Sequence, residues 1–306
     1  MAQRRWSLPC AGAAMGMVMF GCGEARAAAT SEAPSVSASP ASLPWALRPI
    51  ALPNVLRLDT AAAASDEGTV LASVLTAGVR VTSTLGLLGK VPLIQSVAGA
   101  QTGTVIGNPL FGALYSPRVT DSTKIGLFLG FGVPVGMGGG DGADPDAQRV
   151  MRLVGIPARS AMDNALFGVN YLTKAAGVAV AYVGHGLTAQ LESTVFMLFR
   201  TRGEGVDREP SRTNLTAGAH AGYALFPWLT PSVEARYQRW LSTPAFVAKD
   251  EARRDTLTVA FGLRGTWQVS ERVVARPGVS YAEPLDLPLS GAAYRVVQLD
   301  LPIVFQ

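Results

Sequence analysis

The sequence predicts an all-β chain: a transmembrane antiparallel β-barrel of 12 strands, with 10 and 14 as the neighbouring even counts. Three observations point there. Apolar and polar residues alternate with period two over segments of ten or more residues. Short and long connections alternate between those segments. And a chain that is 48% hydrophobic, with a mean hydropathy of +0.26 and 33 glycines in 306 residues, carries no run of about 20 apolar residues beyond its N-terminal segment. The apolar content excludes a disordered chain. The missing spans exclude a helical membrane protein; even the least charged stretch, Ile125–Gly140, is interrupted by Gly or Pro every few residues.

Residues 1–27 read as an export signal. Arg4 and Arg5 precede an uncharged, mostly apolar run over Trp6–Phe20, and Ala25-Arg26-Ala27 is a small-x-small site that places cleavage near Ala27. The competing reading is lipidation at Cys22, since Gly21-Cys22 ends the apolar run, although Met19 and Phe20 are not the small or branched residues of such sites. Cys10 and Cys22 both lie in this segment, so a chain cleaved after Ala27 has no disulfide and no thiolate metal site. Cleavage removes three arginines and one glutamate, lowering the formal charge from +4 to +2, too little to point to nucleic acid. Residues 28–50 are rich in Ala, Ser and Pro and read as a flexible linker. The barrel domain then occupies 51–306.

Within it, the first strand falls at Leu52–Thr60, where Leu56 and Leu58 alternate with Arg57 and Asp59, and the second returns over Leu71–Val81. Short turns follow at Thr82–Thr84, Arg118–Ser122, Gly184–Gly186, Pro227–Trp228 and Gln268–Arg272. Long loops are expected at Ala61–Gly68, Val97–Gly107, Gly136–Asp163, Arg202–Arg212, Ser242–Arg254 and Pro284–Ala293. Short and long alternate without exception if Leu166–Val183 holds a single strand despite its Thr173-Lys174 interruption. Outer-membrane barrels have short periplasmic turns and longer external loops.

The later strands carry the clearest faces. In Leu187–Thr201, Leu187, Leu191, Val195, Met197 and Phe199 share one face, and Thr188, Gln190, Glu192, Thr194 and Arg200 the other. Leu215–Leu225, Leu229–Gln238 and Leu257–Trp267 repeat the pattern and put His220, Glu234, Arg236 and Arg264 on the polar face. A soluble sandwich would also alternate, with its apolar face inside. Length separates the two: globular strands usually run about 5–6 residues, whereas a tilted membrane strand needs about 9–11. Export, glycines on the polar face and aromatic residues near strand ends agree with lipid outside.

The last strand is the most specific. Val297, Leu299, Leu301, Ile303 and Phe305 alternate with Gln298, Asp300, Pro302 and Val304. This resembles the closing strand of Gram-negative outer-membrane proteins, whose terminal aromatic is read by the barrel assembly machinery; Leu299, Leu301, Ile303 and Phe305 would be that signal, with Phe305 penultimate. Two further segments resemble outer-membrane transporters grouped with phenol-degradation channels. They are Gly107-Asn108-Pro109 followed by Gly112 and Tyr115, and Gly132-Val133-Pro134-Val135-Gly136 at the end of the next strand. The resemblance implies a barrel that passes small molecules, hydrophobic ones included.

Residues that could carry chemistry are few. A lipid hydrolase needs a serine, a histidine and an orienting group together. His185 lies in a glycine turn, Ser193 falls on the lipid face, and His220 has no serine beside it, so a lipid-modifying enzyme is the weakest functional class and no cofactor is expected. Asp141, Asp144 and Asp146 offer oxygen ligands for Ca²⁺ in a Gly-rich loop, without the bidentate Glu of a known loop spacing. The inward charged set is Arg80, Lys90, Lys124, Glu192, Arg200, His220, Glu234, Arg236, Arg264, Arg276 and Asp300. Ionisable groups at membrane depth must face water or one another. They form either a structural lumen network or a selectivity path, and their basic excess would favour anions. The expected function is an outer-membrane channel or transporter for small hydrophobic or anionic molecules, narrowed by the long Gly136–Asp163 loop with its apolar Val150–Ile156 piece. The alternative is a structural or surface-interaction barrel without transport. Expected partners are outer-membrane lipids, the assembly machinery and an unidentified permeant.

Phe305→Ala should lower the fraction of chain recovered as a heat-modifiable species in the outer membrane, read from unheated and heated gel migration after fractionation. A wild-type chain found wholly soluble in the periplasm contradicts the barrel.

Overall fold

The computed structural model describes residues 54–65, 68–98, 101–151, 162–286, 289–291 and 294–306. The export signal, the Cys22 and Ala27 sites and the linker lie outside the described residues.

The alternating segments fold as strands. In order they are β1 (Asn54–Ser65), β2 (Gly68–Arg80), β3 (Leu85–Ala98), β4 in two pieces (Gln101–Ile106 and Leu110–Tyr115) and β5 (Thr123–Gly132). Then come β6 (Tyr171–Gly184), β7 (Leu187–Arg200), β8 (Ser211–Tyr223) and β9 (Leu229–Trp240). The last three are β10 (Asp255–Gly265, continued by Trp267–Ser270), β11 in two pieces (Val273–Ala275 and Gly278–Pro284) and β12 (Arg295–Phe305). Each strand pairs antiparallel with the next, and β12 pairs back onto β1 from Asn54↔Phe305 to Ala64↔Arg295, closing a 12-strand barrel. Among the described residues, short α-helices α1 (Pro145–Arg149), α2 (Asn164–Phe167) and α3 (Ala245–Lys249) lie in connections. No helix among the described residues is long and apolar enough to cross a membrane.

Alternation becomes two surfaces. Outside, Leu58, Leu127, Leu191, Phe261, Leu263 and Leu299 are 47–63% exposed. Inside, Arg57, Glu192, His220, Glu234, Arg236 and Asp300 are buried. A soluble protein distributes these residues the other way round. A continuous exposed apolar wall around buried charge is the arrangement of a barrel set in lipid.

The structure corrects four boundaries. The expected loop at Ala61–Gly68 is a hairpin, because the β1–β2 ladder continues to Ser65↔Gly68. Likewise the β3–β4 ladder runs to Ala98↔Gln101 where Val97–Gly107 was read as loop. Backbone pairing needs no large side chain, and the Ala-rich and Thr/Gly-rich stretches there lacked the apolar signal. Short and long connections therefore do not alternate without exception. Third, β6 starts at Tyr171, and Leu166 and Phe167 belong instead to α2, inside the long connection. Fourth, the Gly136–Asp146 segment is not merely a solvated loop. Asp144 caps α1 by accepting from the Asp146 and Ala147 amides, with Pro145 at the first helical position. The tight β6–β7 turn is as expected, His185 and Gly186 both taking positive φ (53° and 76°) as a two-residue hairpin requires.

The interior falls into two sectors. On β3, β4, β5 and β7 apolar residues also point inward, among them Ile94, Val105, Leu110, Phe128 and Phe196. They pack against Val150, Met151, Leu166, Phe167 and Val169 of the β5–β6 connection, which enters the barrel from the end bearing the long loops. On the opposite side, Leu289 and Tyr294 of the β11–β12 connection cover Ala61, Ala63, Ala260 and Ala282. The remaining interior is polar.

Register gives a stability test. Leu263→Arg places charge on the lipid face and should cost roughly 2–4 kcal/mol near the bilayer midplane, measured by denaturant unfolding of the barrel in lipid. Thr258→Ser, inside the lumen, should change little. Equal effects would mean that the faces are assigned wrongly.

Candidate functional site

Because side chains on strands point alternately in and out, each inward polar residue of β7–β10, β12 and β1 is delivered to one surface. Two ion clusters result. In the first, Arg57 Nε donates to Asp59 at 2.7 Å, and Arg57 Nη2 lies 3.7 Å from the Asp300 carboxylate. Arg264 Nη2 donates to the same carboxylate at 2.8 Å, and its Nη1 to the Arg276 carbonyl at 2.6 Å. Gln298 donates to Asp59 at 3.2 Å. In the second, Gln190 donates to Glu192 at 2.9 Å, His220 Nδ1 sits 2.8 Å from Glu234, and Arg236 pairs with Glu234 and lies 3.7 Å from Glu192. Both clusters are buried on the inner face of the one closed sheet. Each of these acidic and basic residues of the two clusters, the backbone-only Arg276 aside, is at most 6% exposed. Buried charge is tolerated only when it is paired and hydrogen-bonded, and here each cluster mixes signs.

The eleven sequence candidates divide. Glu192, His220, Glu234, Arg236, Arg264 and Asp300 form the belt. Lys90 is buried in the apolar sector, where it lines a cavity with Leu88, Leu110, Phe128 and Asp163. Arg80 is exposed at the short-turn end of β2, and Lys124 sits at the same end of β5, its backbone paired with that of Arg118. Arg276 is half-buried between the pieces of β11 and contributes its carbonyl. Arg200 is at the opposite rim, donating to the Asp207 and Arg208 carbonyls and pairing with Glu204 at 2.8 Å. Among the described residues the belt holds three arginines, Arg57, Arg236 and Arg264, against four carboxylates, Asp59, Glu192, Glu234 and Asp300. The cationic excess lies at the mouths, so it is no property of the belt.

Arg57 and Asp59 also belong to the inward charged set, beyond the eleven expected from sequence. Their alternation with Leu56 and Leu58 was a sufficient signal, because closure must set the first strand beside Asp300 on the last. The three loop aspartates do not converge. Asp141 accepts from the Gly205 amide at 2.7 Å, Asp144 caps α1, and Asp146 lies 4.0 Å from Arg149. No group of three or more metal-ligating side chains occurs among the described residues.

The alternation of residues gives no sign of the latch that holds the inserted connection. Arg202, in the β7–β8 loop, donates to the Gly136 carbonyl at 2.7 Å and to the Val169 carbonyl at 3.1 Å. Asn108, fully buried in the break of β4, donates to the Gly168 carbonyl at 2.8 Å and accepts from the Gly136 amide at 3.0 Å. Gly136 has to be glycine, since a Cβ there would meet Val169 at 2.6 Å and Asn108 at 2.9 Å. Asn170 donates to Asp207 at 2.7 Å, and Arg212 holds Asp207 and Glu209 at 2.8 and 2.7 Å while lying over the Tyr171 ring. Burial raises the Glu209 pKa, but the Arg212 hydrogen bond and the Ala245 amide outweigh it and bring the carboxyl from 4.5 down to about 2. The stabilisation from this depressed carboxylate is therefore present above pH 4.5 and lost only as pH falls toward 2.

Neither a family model nor a curated protein matches the chain. Solved structures do. The NanC porin superposes with a TM-score of 0.50 at 7% identity, over 82% of this chain and 99% of that one. The chain shares the fold of that porin, a closed antiparallel β-barrel. An outer membrane channel from Pseudomonas putida F1 gives a TM-score of 0.49 at 12% identity over 82% and 94%. The KdgM porin in complex with disordered oligogalacturonate gives 0.47 at 11% over 82% and 99%. At such identities the likeness is one of fold.

Arg264→Leu should destabilise the barrel by about 3–5 kcal/mol by removing the near partner of buried Asp300, and Arg264→Leu with Asp300→Leu should recover part of that loss. Urea unfolding in lipid reads both. A single variant as stable as wild type would show that the pair is hydrated.

Proposed function

We infer that the protein is an outer-membrane channel or transporter for small molecules, in which the β5–β6 connection sets how open the lumen is. The observation that carries this reading is how the connection is held. Its described residues pack against inward apolar side chains of β3, β4, β5 and β7 and are fastened by hydrogen bonds from the Arg202 and Asn108 side chains and a few backbone amides rather than by a continuous strand ladder. Such a segment can leave while the barrel stays intact. The exposed apolar wall supports a membrane location, and the predicted export signal supports the outer membrane as the destination, reached through the assembly machinery.

A non-enzymatic role fits the two histidines. His185 faces the Tyr182 hydroxyl at 3.2 Å in an exposed turn, and His220 is enclosed by Glu192 and Glu234; neither has a nucleophile to activate. The buried ion belt favours a second reading, a structural barrel whose lumen stays shut.

Planar-bilayer recordings separate the two. Intact protein should give small, rare openings with weak ion selectivity, because the belt is nearly balanced in charge. Deleting Gly138–Arg159 should enlarge the openings, and Arg202→Ala should make them more frequent. A folded barrel that is silent in all three forms supports the structural reading.

A further inference from the structure

Inside a water-filled pore an inward apolar residue is a liability, yet Leu88, Leu110, Phe128 and Phe196 all point into the lumen around Lys90. What covers them is α2 and its cap. Ala165 and Leu166 supply the apolar surface, and Asp163 brings a carboxylate into the same cavity, within electrostatic reach of Arg57. Together they leave a residual space of about 10 Å³, room for roughly one water. The inserted segment thus presents a carboxylate beside a compact apolar body.

We propose that Asp163–Phe167 occupies a binding site for a small amphipathic carboxylate, an organic acid with an aromatic or aliphatic body, whose head group is received by Lys90. This rests on the channel reading above and names its substrate class. The wall residues belong to β3, β4, β5 and β7 and stay in place when the segment withdraws, because each is carried by a paired strand. The segment is attached differently: Asn164 donates to Asn214 at 3.0 Å, and the Asn108 amide donates to the Leu166 carbonyl at 2.8 Å. With Asp163 gone, the wall keeps Lys90, and Arg57 shares its inward row through Arg57↔Thr76↔Lys90 across β1, β2 and β3. That row favours an anionic head group over a neutral or cationic one. The apolar wall favours a body the size of the Leu166 and Ala165 side chains it now holds. Acid and segment compete for one place, so an incoming ligand displaces the segment.

The test is equilibrium dialysis of 3-phenylpropanoate against the full barrel refolded in detergent, with toluene and 2-phenylethylammonium as probes that lack the anion. Asp163→Ala removes the competing carboxylate and should tighten 3-phenylpropanoate by about tenfold. Lys90→Gln in that background should weaken it by about tenfold or more and leave toluene unchanged. Heat-modifiable migration checks that each variant is folded. Unchanged 3-phenylpropanoate affinity on Lys90→Gln overturns the site, as does the ammonium probe binding as well as the acid. A loop-deleted barrel that conducts while Asp163→Ala binds no 3-phenylpropanoate at millimolar concentration ends this proposal and leaves the channel reading standing. Binding that follows the expected order in a barrel that never conducts ends the channel reading and keeps the site.

Discussion

A strand in the hydrocarbon layer can satisfy its backbone only through neighbouring strands, so the sheet has to close on itself. In this chain closure is the eleven-residue pairing of β1 with β12, and most of the interior follows from it. It sets Leu56-Arg57-Leu58-Asp59 against Asp300-Leu301-Pro302-Ile303, with Leu56, Leu58 and Leu301 toward lipid and Arg57, Asp59 and Asp300 toward the lumen. A slip of one residue would turn every side chain of β12 to the other face. Asp300 would then stand in hydrocarbon, and Arg57 and Arg264 would lose the carboxylate between them. The ion cluster therefore pins the register that creates it.

The interior this closure produces is not uniform. β7–β10, β12 and β1 bring polar groups inward and satisfy them by pairing, as with Glu192, His220, Glu234 and Arg236. β3–β5 and the loop end of β7 bring apolar groups inward and satisfy them with a segment from elsewhere in the chain. Paired charges need fixed partners. Apolar surface accepts any occupant of suitable shape, because the hydrophobic effect is non-directional. One half of the lumen is thus committed to its contents and the other half is exchangeable.

The parts of this molecule that can be read from sequence are those governed by a local period. Strand faces, the glycine turn at His185 and the inward positions of Glu192, Glu234, Arg236 and Asp300 all follow from alternation alone. Ala61–Ala64 and Thr102–Thr104 are not legible as strand, because there the ladder continues through small residues that leave no hydropathy signal. The inserted connection was partly legible, since Val150 and Met151 are apolar where a solvated loop would not be. Its entry point was not. Asn108 and Arg202 are 94 residues apart in sequence and meet only through Gly136, whose amide and carbonyl they bind. Nothing periodic records such a meeting, although the Gly107-Asn108-Pro109 and Gly132–Gly136 motifs mark where chain and wall come closest.

How the ion pairs are distributed decides which part of the interior can move. Breaking one buried pair by isolating a charge costs about 3–5 kcal/mol, with nothing in the lumen to offset it. The pairs, however, run along the wall between adjacent or next-adjacent strands: Glu192 on β7 to Arg236 on β9, His220 on β8 to Glu234 on β9, Arg264 on β10 to Asp300 on β12, Asp300 to Arg57 on β1. They hug one side of the barrel. The facing side is closed by Leu166, Phe167 and their neighbours, each contributing roughly 1.5–3 kcal/mol of burial that another apolar occupant could replace. Withdrawal of the inserted segment would accordingly open a passage without separating the wall-to-wall pairs of the belt. That passage would have charge on one flank and hydrocarbon on the other, the lining an amphipathic solute requires.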